Sequence, residues 1–204
     1  MIEQELTYQD LRIPSSEIYE AMGYKDSIPD QMVIDETNTL LKRITPLLRP
    51  RFAFFFMEGT LDIEKETLSV LQSIHPPTVN LIQDTIPTRS PEQNTFSTQS
   101  KSTVFSVGKT IARQLRGSEA FVFFAATAGT EFEVFQHTLQ QEGDMVKIYI
   151  ADSLGSIIAE KTADCMEVAL AEYIREKNWK HTNRYSPGYC GWHVSEQQKL
   201  FPLF

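Results

Sequence analysis

Residues 179–201, WKHTNRYSPGYCGWHVSEQQKLF, form the densest run of side chains able to do chemistry. Lys180, His181, Arg184, Tyr185, Tyr189, Trp192 and His193 crowd one loop-like stretch. Pro187 fixes one backbone angle and Gly188 frees the next. Arg184 and Tyr189 thus stand at opposite ends of a short, stiff bend. Such a set suits recognition of a small amphiphilic anion. A guanidinium takes a carboxylate bidentately, and a tyrosine offers a flat apolar face with one hydroxyl. The backbone N–H of Ser186 is free to join them, whereas Pro187 has none. The bland alternative is a surface loop whose aromatics cover the core.

The elements that must position this bend are legible in outline. Residues 1–30 are broken by Pro14, Gly23 and Pro29, and read as an arm that packs through Tyr19, Met22 and Tyr24. Asp35, Glu36, Leu40, Leu41 and Ile44 predict a helix with an acidic start and a basic end at Lys42, Arg43 and Arg49, closed by Pro50. Phe52 to Met57 is apolar on both faces and predicts a buried strand. After a turn at Glu58-Gly59-Thr60, Leu61, Ile63, Leu68, Leu71 and Ile74 include pairs three and six apart, ending at Pro76-Pro77. Residues 84–101 are rich in Ser, Thr, Pro and Gln and read as a long loop or an edge segment.

Thr103–Val107 predicts a strand, Gly108–Arg116 a short helix with Lys109, Arg113 and Arg116 outside, and Ala120–Ala126 a second buried strand. Thr127-Ala128-Gly129-Thr130 is small enough to let a helix or a ligand approach the backbone. From Phe132 to Trp179 the pattern is helical, broken once at Gly143, with Gly155 marking a kink or a close helix crossing. Three or four short strands followed by long helices predict an α+β fold with a small, twisted, mainly antiparallel sheet, in one domain spanning 1–204.

Composition narrows the function classes. A net charge of −8 argues against nucleic-acid binding by phosphate neutralisation. Apolar runs near Phe52–Met57 are too short to span a membrane. Cys165 and Cys190 lack a CxxC partner, which suits a reducing cytoplasm. His75, His137, His181 and His193 show no HxH or HxxxH spacing, so no metal site is expected. Gly108-Lys109-Thr110 ends like a phosphate-binding loop, but Thr103 stands where that loop needs its first glycine.

Arg184-Tyr185-Ser186-Pro187-Gly188-Tyr189, continuing through Trp192 and Ser195-Glu196-Gln197 to Lys199-Leu200-Phe201, resembles the RxxxGY signature and tail of the activation domains of cobalamin-dependent methionine synthase, in their stand-alone form. Phe121 to Gly129 and Asp152 to Ser156 extend the resemblance over about residues 105–204. The resemblance implies an accessory subunit that binds S-adenosylmethionine and supports reductive remethylation of cob(II)alamin. The cobalamin would be carried by a methionine synthase core lacking its own activation domain, and a flavodoxin-like partner would supply the electron. It implies Arg184 at the ligand carboxylate, main-chain contact at Ser186 and Gly188, and Tyr189 lining the pocket, with no general base.

The chain lacks the DxHxxG corrinoid motif, so it would act in trans. The family's acidic contact to the ligand amino group would fall to Asp30, Asp35 or Glu36. Family members also continue past the position of Phe204 with a segment that completes the pocket. A scaffold keeping the fold without the ligand, or a reactivator of another corrinoid protein, are the alternative readings.

Overall fold

A computed structural model of the protein describes residues 1–25, 27–71 and 102–204. The 84–101 segment, Ile74, His75 and Pro76-Pro77 lie outside the described residues. The elements run β1 (Ile2–Glu5), α1 (Ser15–Ala21), α2 (Gln31–Ile44), β2 (Arg51–Met57), β3 (Gly59–Asp62), β4 (Thr67–Leu71), β5 (Ser102–Ser106), α3 (Gly108–Gln114), β6 (Phe121–Thr127), α4 (Thr130–Glu142), α5 (Met145–Arg175) and α6 (Gln197–Leu200). The fold is α+β, as the pattern of strands and helices predicts. Two three-stranded sheets have the orders β1-β2-β6 and β3-β4-β5. The pairings β1–β2, β3–β4 and β4–β5 are antiparallel.

Several expectations need correction. The described residues hold six strands rather than three or four. One extra strand is β1, where the arm's Ile2–Glu5 pairs with Arg51–Phe54. Two more come from the Leu61–Leu71 stretch, which forms a hairpin. Leu61 lies opposite Leu68, so their separation is a cross-strand register. Leu68 and Val70 alternate inward, as a half-buried strand requires. The turn is closed by Asp62, whose Oδ1 accepts from the Lys65 N–H at 3.0 Å. The first helix expected at Asp35 starts at Gln31, so its first turn carries no acidic residue. It stops at Ile44, before Pro46, and Arg49 lies beyond it.

The described residues form two compact units, the first comprising 1–55 and 123–181, the second 56–122 and 182–204. α5 is the spine of the first. Its buried residues include Ile150, Leu154, Ile158, Thr162, Met166, Leu170 and Ile174, each four residues on. A step of four advances about 40° round a helix, so this stripe winds most of the way about the axis. That winding is why one helix serves α1, α2 and α4 together, while Phe54 of β2 meets Tyr173 edge-on. Ile158 and Thr162 carry the middle of the stripe. Thr162 donates its hydroxyl to the Ile158 carbonyl at 2.7 Å, which satisfies it in the core.

Ile18 and Met22 of the arm are buried, and the Tyr149 hydroxyl donates to the Met22 carbonyl. Lys161 holds Glu17 of α1 at 2.6 Å, and this contact, ahead of Asp164, keeps the lysine above its usual value. At Gly129 it is the main chain of the link after α2, not a helix, that packs against the backbone. A Cβ there would stand 2.9 Å from the Arg49 carbonyl oxygen, main chain in the link after α2. Among the described residues, no helix is long and apolar enough to cross a membrane.

The break at Gly143 is a left-handed cap ending α4, and Asp144 then caps α5. Its Oδ1 accepts from the N–H groups of Val146 at 3.1 Å and Lys147 at 3.2 Å. The Lys147 backbone bond is the main cause that holds this carboxyl below its ordinary range. A lowered value in the folded chain means the cap contributes above the unfolded value and is lost as pH falls through the folded one. Asp144→Ala should therefore lower the melting temperature at neutral pH. That difference should shrink below about pH 4, as melting curves of both proteins from pH 7 to pH 3 would show.

Candidate functional site

The bend predicted at Pro187-Gly188 is two fused turns. In the first, the Tyr189 N–H donates to the Ser186 carbonyl at 3.1 Å. Pro187 occupies the second position and Gly188, at φ +104°, the third. A type II turn needs this pair, because its third residue must take positive φ. In the second turn the Trp192 N–H donates to the Tyr189 carbonyl at 2.9 Å. Its central residues, Cys190 at φ +53° and Gly191 at φ +85°, both lie in the left-handed region, the pattern of a type I′ turn. The Gly188 N–H closes back onto the Trp192 carbonyl at 2.6 Å. Residues 186–192 are thus a rigid double bend made of main-chain hydrogen bonds.

This bend is seated on residues 104–108 of the same unit. Gly191 lies against Gly108, where a Cβ would come 2.7 Å from the Gly191 oxygen. Gly108, dismissed above as part of a phosphate loop, is thus the packing point of the bend. The buried Trp192 ring meets Phe105 edge-on, with centroids 6.1 Å apart. Glu196, 8% exposed, accepts from the Ser106 N–H at 3.1 Å. Lys199 donates to Glu196 at 2.8 and 3.0 Å and to the Val104 carbonyl at 3.0 Å. His193 caps the short 3-10 turn that follows, its Nδ1 accepting from the Ser195 N–H at 3.2 Å.

Arg184, Ser186, Gly188 and Tyr189 therefore belong to one short stretch of the second unit. Arg184 is half-buried, Pro187 is buried, and Ser186 and Gly188 are exposed. Tyr189 is 71% exposed, so its ring stands largely in solvent. Cys190 is exposed. Asp30, Asp35 and Glu36 lie at the start of α2 in the first unit, where Asp35 accepts from Gln31 and Glu36 faces Lys147 at 4.0 Å. Among the described residues no three His, Cys, Asp or Glu side chains converge as a metal would need.

Sequence reasoning did not find the seat, formed by Ser106, Gly108, Trp192, Glu196 and Lys199. The Glu196–Lys199 pair has the i, i+3 spacing that could have flagged a local ion pair. Nothing local points from there to β5, about ninety residues earlier in the chain. α3 adds a feature of the same unit: Lys109 and Arg113 are exposed one turn apart on it, and the exposed Arg116 lies in the turn beyond the helix, which ends at Gln114 rather than at Arg116.

No family model matches the chain, and none of the curated proteins does. Among solved structures, the chain is similar to the crystal structure of the MetH reactivation domain bound to AdoHcy. The TM-score is 0.59 at 15% identity, over 99% of this chain and 69% of that one. At that identity the likeness is one of fold.

Proposed function

We propose that the protein binds S-adenosylmethionine at the Arg184–Tyr189 bend and acts in trans to reactivate a corrinoid carried by a methionine synthase core. The observation that supports this most is a conjunction. The chain has the fold of a reactivation domain whose structure holds AdoHcy, and it carries the RxxxGY run on a rigid bend. Bound S-adenosylmethionine would supply an electrophilic methyl group; the chain's own residues bind and orient it. The residues present fit an amino-acid ligand. Arg184 is a half-buried guanidinium able to take a carboxylate. Ser186 and Gly188 are exposed residues of the same short stretch, and Tyr189 brings an exposed aromatic ring.

The partners that follow are the cobalamin-bearing core and a flavodoxin-like reductant. The exposed Lys109 and Arg113 of α3, with Arg116 in the turn after it, suit a partner with an acidic surface, since complementary charge speeds encounter. Calorimetry of the full chain with S-adenosylmethionine should show saturable binding. Arg184→Ala should weaken it roughly 10- to 100-fold, the loss of a charge-assisted bidentate contact. Mixed with a synthase core bearing cob(II)alamin and a reductant, the protein should raise the rate of methylcobalamin formation over a control without it. Binding no stronger than millimolar and unchanged by Arg184→Ala would favour a scaffold instead.

A further inference from the structure

Trp192 holds a polar atom that the fold leaves unused. Its ring is 8% exposed, and its Nε1 is buried with no hydrogen-bond partner among the described residues. Buried donors without an acceptor are rare in native proteins, because water no longer reaches them. A phenylalanine would keep most of the edge-on contact with Phe105 and carry no donor to satisfy. The indole N–H therefore calls for a reason other than packing.

Its position supplies one. Trp192 closes the double bend with its own main chain, donating to Tyr189 and accepting from Gly188. The ring is thus fixed to the stretch that holds Ser186, Gly188 and Tyr189. The outer side of the bend is open, since a Cβ on Gly188 or Gly191 would meet nothing within 4 Å. Cys190, a non-glycine at φ +53°, holds some backbone strain in the bend. Binding of a ligand on that open side is the event that would bring an acceptor to Nε1.

We infer that Trp192 Nε1 is the hydrogen-bond donor this bend keeps for an acceptor atom of its ligand. The inference rests on the reading of the bend as an S-adenosylmethionine site and adds a residue to it. The acceptor is either a carboxylate oxygen of the amino-acid end or an atom of the nucleoside end.

Calorimetry on the full chain separates these ends with two probes, S-adenosylhomocysteine and 5′-methylthioadenosine, which lacks the amino-acid end. Trp192→Phe should weaken S-adenosylhomocysteine about tenfold or more. It should leave the melting temperature of the ligand-free protein unchanged or raised, because an orphan donor is removed and the ring is kept. A parallel loss for methylthioadenosine places the acceptor on the nucleoside, and no loss places it on the carboxylate end; both outcomes support the inference. In a Trp179→Phe protein, Trp192 is the sole tryptophan, and saturating S-adenosylhomocysteine should change its emission. Unchanged affinity in Trp192→Phe, or unchanged emission at saturation, overturns the inference while the ligand site stands. Absence of S-adenosylhomocysteine binding by the wild-type protein removes both.

Discussion

Gly155→Ala is expected to destabilise the protein by about 2 kcal/mol, although alanine is the better helix former. Propensity alone favours the substitution by roughly 1 kcal/mol at a mid-helix position. Space opposes it. A Cβ on Gly155 would stand 2.4 Å from Cε1 and 2.7 Å from Cζ of Phe132, both inside van der Waals contact. The ring belongs to α4 and is 5% exposed, so it has no solvent to swing into. Overpacking of this kind costs about 1–3 kcal/mol and sometimes more, which exceeds the propensity gain. Urea unfolding with an unchanged slope would measure the loss. Phe132→Leu should be destabilising alone yet should recover part of the loss when combined with Gly155→Ala, a coupling expected only of residues in contact. A Gly155→Ala protein more stable than wild type would mean that the ring repacks freely.

Gly155 also shows how far sequence carries. A glycine in a helical pattern of more than forty residues signals a kink or a close crossing, and α5 runs unbroken through it, so the crossing is the answer. Gly143 is similar: the break it marks is a left-handed cap. Those signals are local, a residue type set against a periodic pattern. Phe52–Met57 and Phe121–Ala126 are equally plain, because runs apolar on both faces have few places to go. The Leu61–Leu71 hairpin was missed for the converse reason. Its turn has no glycine or proline after Gly59, and Glu66 takes positive φ without advertising it. Pairs three and six apart then suit a helix as well as a strand.

The candidate site divides along the same line. Pro187-Gly188 states its turn outright, since proline and glycine fix the two central positions of a type II turn. Arg184 and Tyr189 stand out by type. The seat beneath them is non-local: Gly108 is needed because Gly191 lies on it, and Glu196 is buried because Ser106 offers an N–H. Neither partner is near in sequence, and at 15% identity the fold likeness supplies no residue correspondence for them.

Glu196→Ala should have the second large effect, and it tests that seat. The carboxylate is 8% exposed and holds two elements at once, accepting from the Ser106 N–H of β5 and from Lys199 of α6. Removing it leaves a part-buried N–H without an acceptor and a lysine without its counter-charge. A stranded buried donor costs about 1–3 kcal/mol. The ion-pair share is smaller, because the Lys199 side chain is 46% exposed and water compensates for its loss. A total near 2–3 kcal/mol is expected for Glu196→Ala, read by urea unfolding. Glu196→Gln should cost about 1 kcal/mol less, since its amide oxygen still accepts from Ser106. The same order should appear in function. If the bend binds only when pressed onto β5, then Glu196→Ala should weaken S-adenosylmethionine more than Glu196→Gln does, under conditions where both proteins are fully folded. Equal affinity in all three proteins would mean that the double bend keeps its shape through its own hydrogen bonds. In that case binding would depend on the bend's own two turns and owe nothing to the platform below.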